Sequence, residues 1–303
     1  MLLNAFPLLN EAAANNVFNS SIGMKRSVYR IFSRISLAGL FALMAAPAVA
    51  APQDNCSWLG PGQLLPQSGQ LLCSDEFAVG YSASDREPLW SAEHLTAETL
   101  QQAEALHHRP DGFHADKRLP ETERSELDDY ARSGWGRGHL APSGDMSSWA
   151  ARQQSFTLSN VIPQNETLNS GMWEKIEAAT RRLAWRDGEL YVVTGPAFRE
   201  ARGFIGSDRV RVPSSIWKAV YDPRRRATSV VVCRNETRTH CAQGPVNGLE
   251  RITGIDPFPG LPLQIRDHYV PLPLLPVRTT EERRPAYRHR KQKTASWFER
   301  LLQ

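Results

Sequence analysis

Residues 137–181 constrain this chain more than any other stretch. They open with Arg137-Gly138-His139-Leu140-Ala141-Pro142-Ser143-Gly144-Asp145-Met146 and pass through Phe156-Thr157-Leu158-Ser159-Asn160-Val161-Ile162-Pro163-Gln164. They close with Leu168-Asn169-Ser170-Gly171-Met172-Trp173, Glu177 and Arg181. Segment 155–163 is short, carries apolar residues and ends at a proline, which predicts a strand. Segment 168–186 predicts a helix. Met172, Ile176, Ala179 and Leu183 draw one apolar stripe along it, and Gly188 stands where a helix ends. Beside the stripe run Asn169, Trp173, Glu177 and Arg181, each four residues on. An amide, a carboxylate and a guanidinium thus point roughly the same way from a rigid element. His139 falls on the first of two strands and Asn169 at the start of the helix.

Arg137-Gly138-His139, then Asn160-X-X-X-Gln164, then Leu168-Asn169-X-Gly171-X-Trp173 and Glu177 resemble the DNA/RNA non-specific endonuclease family in order and spacing. That family includes the Serratia-type secreted nuclease and mitochondrial endonuclease G. The resemblance is strongest over 136–181 and extends more weakly to 77–96 and 191–198. It implies an α+β fold: an antiparallel sheet core flanked by helices, with a ββα-metal finger as the active site. It implies His139 as general base and Asn169 as the direct protein ligand of a divalent cation, Mg²⁺ with Mn²⁺ as the alternative. Glu177 resembles the acid that anchors metal-bound waters, and Asn160 the strand residue that helps order that water shell. Arg137 and Arg181 would contact phosphate. So would Arg109, with Arg118 as its competitor.

The chemistry agrees with those residue types. Cleaving a phosphodiester needs an activated water, charge relief on the non-bridging oxygens and a stabilised leaving oxygen. A neutral histidine accepts a proton near pH 7. A hard cation takes oxygen ligands and keeps several waters, and a guanidinium holds two phosphate oxygens at once. Nothing in the chain resembles a base-reading element, so DNA and RNA are expected as substrates with little sequence preference. A homodimer is left open. Plainer roles stand beside these: a helix N-cap for Asn169, an i,i+4 pair with Glu177 for Arg181, core packing for Trp173. The departure from the family is Gly136, where the family usually has aspartate. Charge balance would then fall to Asp145 or to Asp128 and Asp129. Two rival functions remain: a catalytically weak member acting as a nucleic-acid or protein binding module, and a phosphoesterase of another substrate class.

The whole chain has 303 residues, 41% hydrophobic and 22% charged, enough for one sizeable domain. Its net charge of +4 is unevenly spread. Residues 1–50 hold four Lys/Arg against one acid and 278–303 hold eight against three, so the body, 51–277, is net acidic. Phosphate binding must therefore come from particular arginines. Lys25, Arg26, Arg30 and Arg34 precede the apolar run 35–46 and an Ala48-Val49-Ala50 cleavage site. This reads as a signal peptide starting at Met24 and cut after Ala50, with a periplasmic or secreted product free of the membrane. The endonuclease domain is then 51–277 and the basic tail 278–303. Cys56, Cys73, Cys233 and Cys241 suggest two disulfides. Three connectivities are open, of which the local pairs are the most economical. No zinc-ligand spacing competes.

The remaining elements follow from pattern. Strands are expected at 77–81, 88–92, 189–194, 210–221 and 228–233. A helix over 97–107 would be capped by Thr96. Segment 109–130 reads as a surface loop near the site.

Overall fold

The computed structural model describes Cys56, residues 65–66, 68–107, 110 and 112–274. Seven antiparallel strands form the main sheet: β1 (Gln70–Cys73), β2 (Phe77–Ser82), β3 (Glu87–Thr96), β6 (Glu189–Ala197), β9 (Ser215–Asp222), β10 (Ala227–Arg234) and β11 (Cys241–Gly244), adjacent in that order. Two ribbons stand apart from it. One pairs β4 (Gly136–His139) with β5 (Val161–Gln164), and the other pairs β7 (Phe204–Ile205) with β8 (Val210–Arg211). The helices are α1 (Ala97–Ala105), α2 (Leu127–Tyr130), α3 (Trp149–Ser155), α4 (Glu166–Leu168), α5 (Glu174–Asp187), α6 (Val246–Thr253) and α7 (Leu263–Arg266). The α+β architecture expected from the sequence is the one observed.

The central strands are apolar on both faces because both are covered. Alternation along each strand sends Val193, Trp217, Ala219, Val230 and Val232 to one side, where Val246 and Leu249 of α6 and Phe258 close over them. Val192, Ile216, Val220 and Val231 face the other side and meet Leu100 of α1 with Trp173, Ile176, Leu183 and Ala184 of the long helix. That second face carries the candidate site. The indole of Trp217 still needs a partner in this core, and its Nε1 donates to the Pro196 carbonyl at 2.9 Å.

The structure departs from the sequence reading at identifiable residues. The strand expected over 155–163 is cut short. A 3₁₀ turn occupies Leu158–Asn160 and pairing starts only at Val161. The strand expected over 210–221 is split at Pro213, which has no N–H to give to a ladder, so β8 ends at Arg211 and β9 begins at Ser215. By contrast α1 starts where expected. Thr96 caps it, accepting from the Thr99 amide at 3.0 Å. Both local disulfides are present, Cys56–Cys73 and Cys233–Cys241. The second joins residues directly opposite each other on β10 and β11. Among the described residues no helix is long and apolar enough to cross a membrane. The leader and the basic tail lie outside the described residues.

Candidate active site

The site begins with a ribbon that has been stripped on one face. In the β4–β5 register Gly136 opposes Gln164, Arg137 opposes Pro163, Gly138 opposes Ile162 and His139 opposes Val161. Successive residues of a strand point to opposite faces. Gly136 and Gly138 therefore share one face, and Arg137 and His139 share the other. The glycine face is filled from outside. A Cβ on Gly138 would lie 1.9 Å from Gln164 Oε1, and one on Gly136 would lie 2.1 Å from Glu166 Oε2. The absence of side chains lets those two pack flat against the strand.

The opposite face is aromatic. His139 sits between Phe113, with ring centroids 4.9 Å apart, and Phe156, edge-on at 4.8 Å. Arg137 is exposed, and its guanidinium carbon lies 4.7 Å from the Phe113 ring centroid. This cation–π contact orients the arginine without neutralising it. Arg137 makes no ion pair among the described residues.

Asn160 has a different role from the expected one. It is fully buried. Its Oδ1 accepts from the Ala141 amide at 3.0 Å, and its Nδ2 donates to the carbonyls of Ala141 and Ser155, each at 2.9 Å. Both Nδ2 hydrogens and one acceptor site of Oδ1 are engaged by the backbone of Ala141 and Ser155. Asn160 thus holds the backbone two residues past His139, a positioning role that the sequence reading did not include beside the water-shell role.

The helix also differs from expectation. It starts at Glu166, capped by Asn165, whose Oδ1 accepts from the amides of Thr167 and Leu168 at 3.1 and 3.3 Å. Asn169 is therefore not the N-cap. It opens a π turn, Asn169–Trp173, that runs on into α5. Such turns often mark functional sites in helices. Four residues of α-helix overshoot a full turn by about 40°, and a wider turn takes back part of that drift between Asn169 and Glu177. Trp173 goes into the core. Asn169 stays half-buried, and its side chain makes no hydrogen bond among the described residues.

Behind Glu177 lies a group of buried charges. Arg181 Nη1 donates to Asp145 Oδ1 at 2.6 Å, and the Asp145 side chain is 2% exposed. The guanidinium of Arg181 serves as counter-ion to Asp145, a partner that the sequence reading did not name beside the expected phosphate contact. Lys218, fully buried on β9, donates to Thr194 Oγ1 at 2.7 Å and lies 3.9 Å from Glu93 Oε1. Burial pushes the Glu177 carboxyl up to about 7. Lys218 opposes that shift and Asp145 adds to it. Glu93 is raised well above the usual carboxylate range by burial, with Asp145 adding and Lys218 opposing.

Of the other expected phosphate contacts, Arg109 lies outside the described residues. Arg118 is held by Asp116: its Nε donates to Oδ1 at 2.9 Å and its Nη2 to Oδ2 at 2.7 Å. Sequence reasoning missed Phe113, Glu166, Glu93 and Lys218. Lys218 had a visible signal, a lone lysine inside the apolar run Ile216-Trp217-Lys218-Ala219-Val220. Phe113 and Glu166 had none, because neither belongs to a periodic pattern.

Comparison with known proteins agrees with this geometry. The family model described as DNA/RNA non-specific endonuclease matches residues 59–264. The mitochondrial nuclease EXOG of Danio rerio is 33% identical over 222 residues, which is 66% of this chain and 64% of that protein. The chain thus spans less than two thirds of that relative's length. The mitochondrial endonuclease G of Bos taurus is 33% identical over 217 residues, 64% of this chain and 69% of that protein. Among solved structures, a chain from "Crystal structure of the EndoG/EndoGI complex: Mechanism of EndoG inhibition" superposes with a TM-score of 0.55 at 27% identity. That match covers 63% of this chain and 86% of the other.

These relatives overturn the expected setting. They are named as mitochondrial proteins and point to a mitochondrial rather than a periplasmic or secreted one. The reason the leader misled is compositional. Residues 24–50 carry Lys25, Arg26, Arg30 and Arg34, three serines and no acid. A basic, acid-poor segment is shared by export signals and mitochondrial targeting segments.

Proposed function

Because the chain belongs to the DNA/RNA non-specific endonuclease family, we propose that it hydrolyses phosphodiester bonds of DNA and RNA with His139 as general base and a divalent cation at Asn169. The observation that carries this reading is the arrangement at the ribbon's end. The two residues after His139 are held by Asn160, and His139 is flanked by Phe113, which also presents the unneutralised Arg137.

The residues present fit a cation. Asn169 offers an amide oxygen with no partner among the described residues, and Glu177, on the same helix, offers a carboxylate that makes no hydrogen bond or ion pair among them. Among the described residues no group of three or more His, Cys, Asp or Glu gathers as a metal site. Few protein oxygens and several waters suit Mg²⁺, with Mn²⁺ as the alternative. When bound, the cation would supply charge relief to phosphate and to the leaving oxygen. The chain's own residues do the rest. His139 takes the proton of the attacking water, Arg137 holds a phosphate oxygen, and Glu177 accepts hydrogen bonds from ordered water. Arg109 is proposed to hold the scissile phosphate. Residues 51–277 are proposed as the endonuclease domain, between a targeting leader and a basic tail. Phosphate contacts carry no sequence information, so DNA and RNA are both expected as substrates.

Nicking of supercoiled plasmid, with and without EDTA, tests the reading. Cleavage that EDTA abolishes is expected. Asn169→Ala should raise the Mg²⁺ needed for half-maximal rate. Binding without cleavage would turn the assignment to a binding module, and cleavage of small phosphate esters alone to another phosphoesterase.

A further inference from the structure

Gly136 leaves a side-chain-sized space on the strand that carries Arg137 and His139, and a carboxylate fills it. An ideal Cβ at 136 would stand 2.1 Å from Glu166 Oε2 and 3.4 Å from its Cδ. We propose that Glu166 is a positioning residue of the active site, supplying from the first turn of the helix the negative charge that a side chain at 136 would otherwise provide.

Four observations support this. The position of Glu166 is fixed. Asn165 caps the helix there, and the Asn165 amide is itself held by Asn235 Oδ1 at 2.8 Å. Asn235 is fully buried and donates to the carbonyls of Pro163 and Pro213, each at 2.9 Å, so the helix start is tied to the end of β5. The charge of Glu166 is not used elsewhere, since its carboxylate makes no hydrogen bond or ion pair among the described residues. Of the three acids weighed for charge balance, Asp128 is exposed to solvent and the other two are committed. Asp145 holds Arg181, and Asp129 accepts from the amides of Glu126 and Asp208. Finally, Asn169 stands three residues beyond Glu166, a spacing that shares a helix face. The carboxylate thus lies between the foot of the Arg137–His139 strand and the turn that bears the proposed cation ligand.

The effect is electrostatic. Once His139 has taken a proton it is a cation, and a nearby carboxylate stabilises it. Three residues of strand separate positions 136 and 139, about 10 Å. At that distance one charge is worth roughly threefold to tenfold in rate in a surface environment.

The inference rests on the nuclease reading, and its test separates the two. Wild type, Glu166→Gln, Glu166→Ala, Gly136→Asp and the double variant Gly136→Asp/Glu166→Ala are compared in single turnover on one duplex with saturating Mg²⁺. Glu166→Gln and Glu166→Ala should each lose about threefold to tenfold. The double variant, with its carboxylate moved onto the strand, should recover most of that loss. Gly136→Asp alone should gain nothing, because Glu166 already occupies the space. A Glu166→Gln variant as fast as wild type, or a double variant no faster than Glu166→Ala, overturns the proposal. If wild type itself does not cleave, the nuclease reading fails, and thermal melting of the same proteins still decides the shared space. Gly136→Asp should lower the melting midpoint more with Glu166 present than with alanine at 166. Equal shifts in both backgrounds overturn it.

Discussion

Arg181 and Asp145 meet at 2.6 Å and tie helix α5 to the turn that follows the His139 strand. The aspartate side chain is 2% exposed and the arginine's 26%. Arg181→Ala strands a buried carboxylate and is expected to cost about 1–3 kcal/mol, below the figure for a fully buried pair because solvent still reaches the guanidinium. Urea unfolding measures it. Asp145→Asn in the same background should return part of the loss. An unchanged unfolding midpoint in Arg181→Ala would show that the contact carries no weight in stability.

His139→Ala is expected to lower the single-turnover rate by roughly 10²- to 10⁴-fold, the usual worth of a general base. The fold should survive, because the strand end is held by Asn160 rather than by the imidazole. Phe113→Ala should cost less, since it loosens both His139 and Arg137 but removes neither. Wild-type rates in His139→Ala would assign the proton to another group.

How much of this was legible in the sequence depends on where the information sits. The helix of Glu177 and the capped helix after Thr96 were readable because periodicity and caps are local. The ordered motif placed His139, Arg137 and Asn169 in one region for the same reason. The function of Asn160 was not readable, because an asparagine that satisfies backbone and one that orders water look alike until their neighbours are known. Arg181 is similar: Glu177 was its sequence neighbour, but the partner that holds it, Asp145, lies 36 residues away. The π turn has no composition of its own and was not readable, and the cap at Asn165 places the helix start two residues before the expected one, which removes the plainer N-cap role from Asn169.

Glu177 sets a pH dependence of stability. Its carboxyl in the folded chain is raised from 4.5 to about 7 by burial. Between those values the folded chain holds a proton that the unfolded chain has released. Stability therefore falls as pH rises through that window, and the deficit is complete above it. Glu177→Gln should remove this contribution. Urea unfolding in EDTA from pH 4.5 to 8 is expected to show a shallower decline in Glu177→Gln than in wild type. The comparison is between the two proteins because other raised carboxyls, Glu93 among them, add to the slope in both. Parallel curves would refute the assignment.

Lys218 makes the most demanding prediction. It lies on β9 directly opposite Thr194 of β6, and the Thr194 hydroxyl accepts its hydrogen bond. The Glu93 carboxyl is 3.9 Å away with no hydrogen bond of its own, and the Trp173 ring centroid is 5.9 Å away. A fully buried ammonium is costly unless its charge is answered, and the same holds for the carboxyl beside it. Lys218→Met fills the volume but pushes Glu93 further toward its protonated form and strips the Thr194 hydroxyl of its donor, and is expected to destabilise by about 1–3 kcal/mol. There is a catalytic consequence as well. Lys218 holds the Glu177 carboxyl down against burial, so its loss should push Glu177 further up. The rate of Lys218→Met should then fall more at pH 7 than at pH 8.5, where Glu177 regains its charge. Equal losses at both pH values, in a variant as stable as wild type, would show that Lys218 neither holds Glu93 nor tunes Glu177.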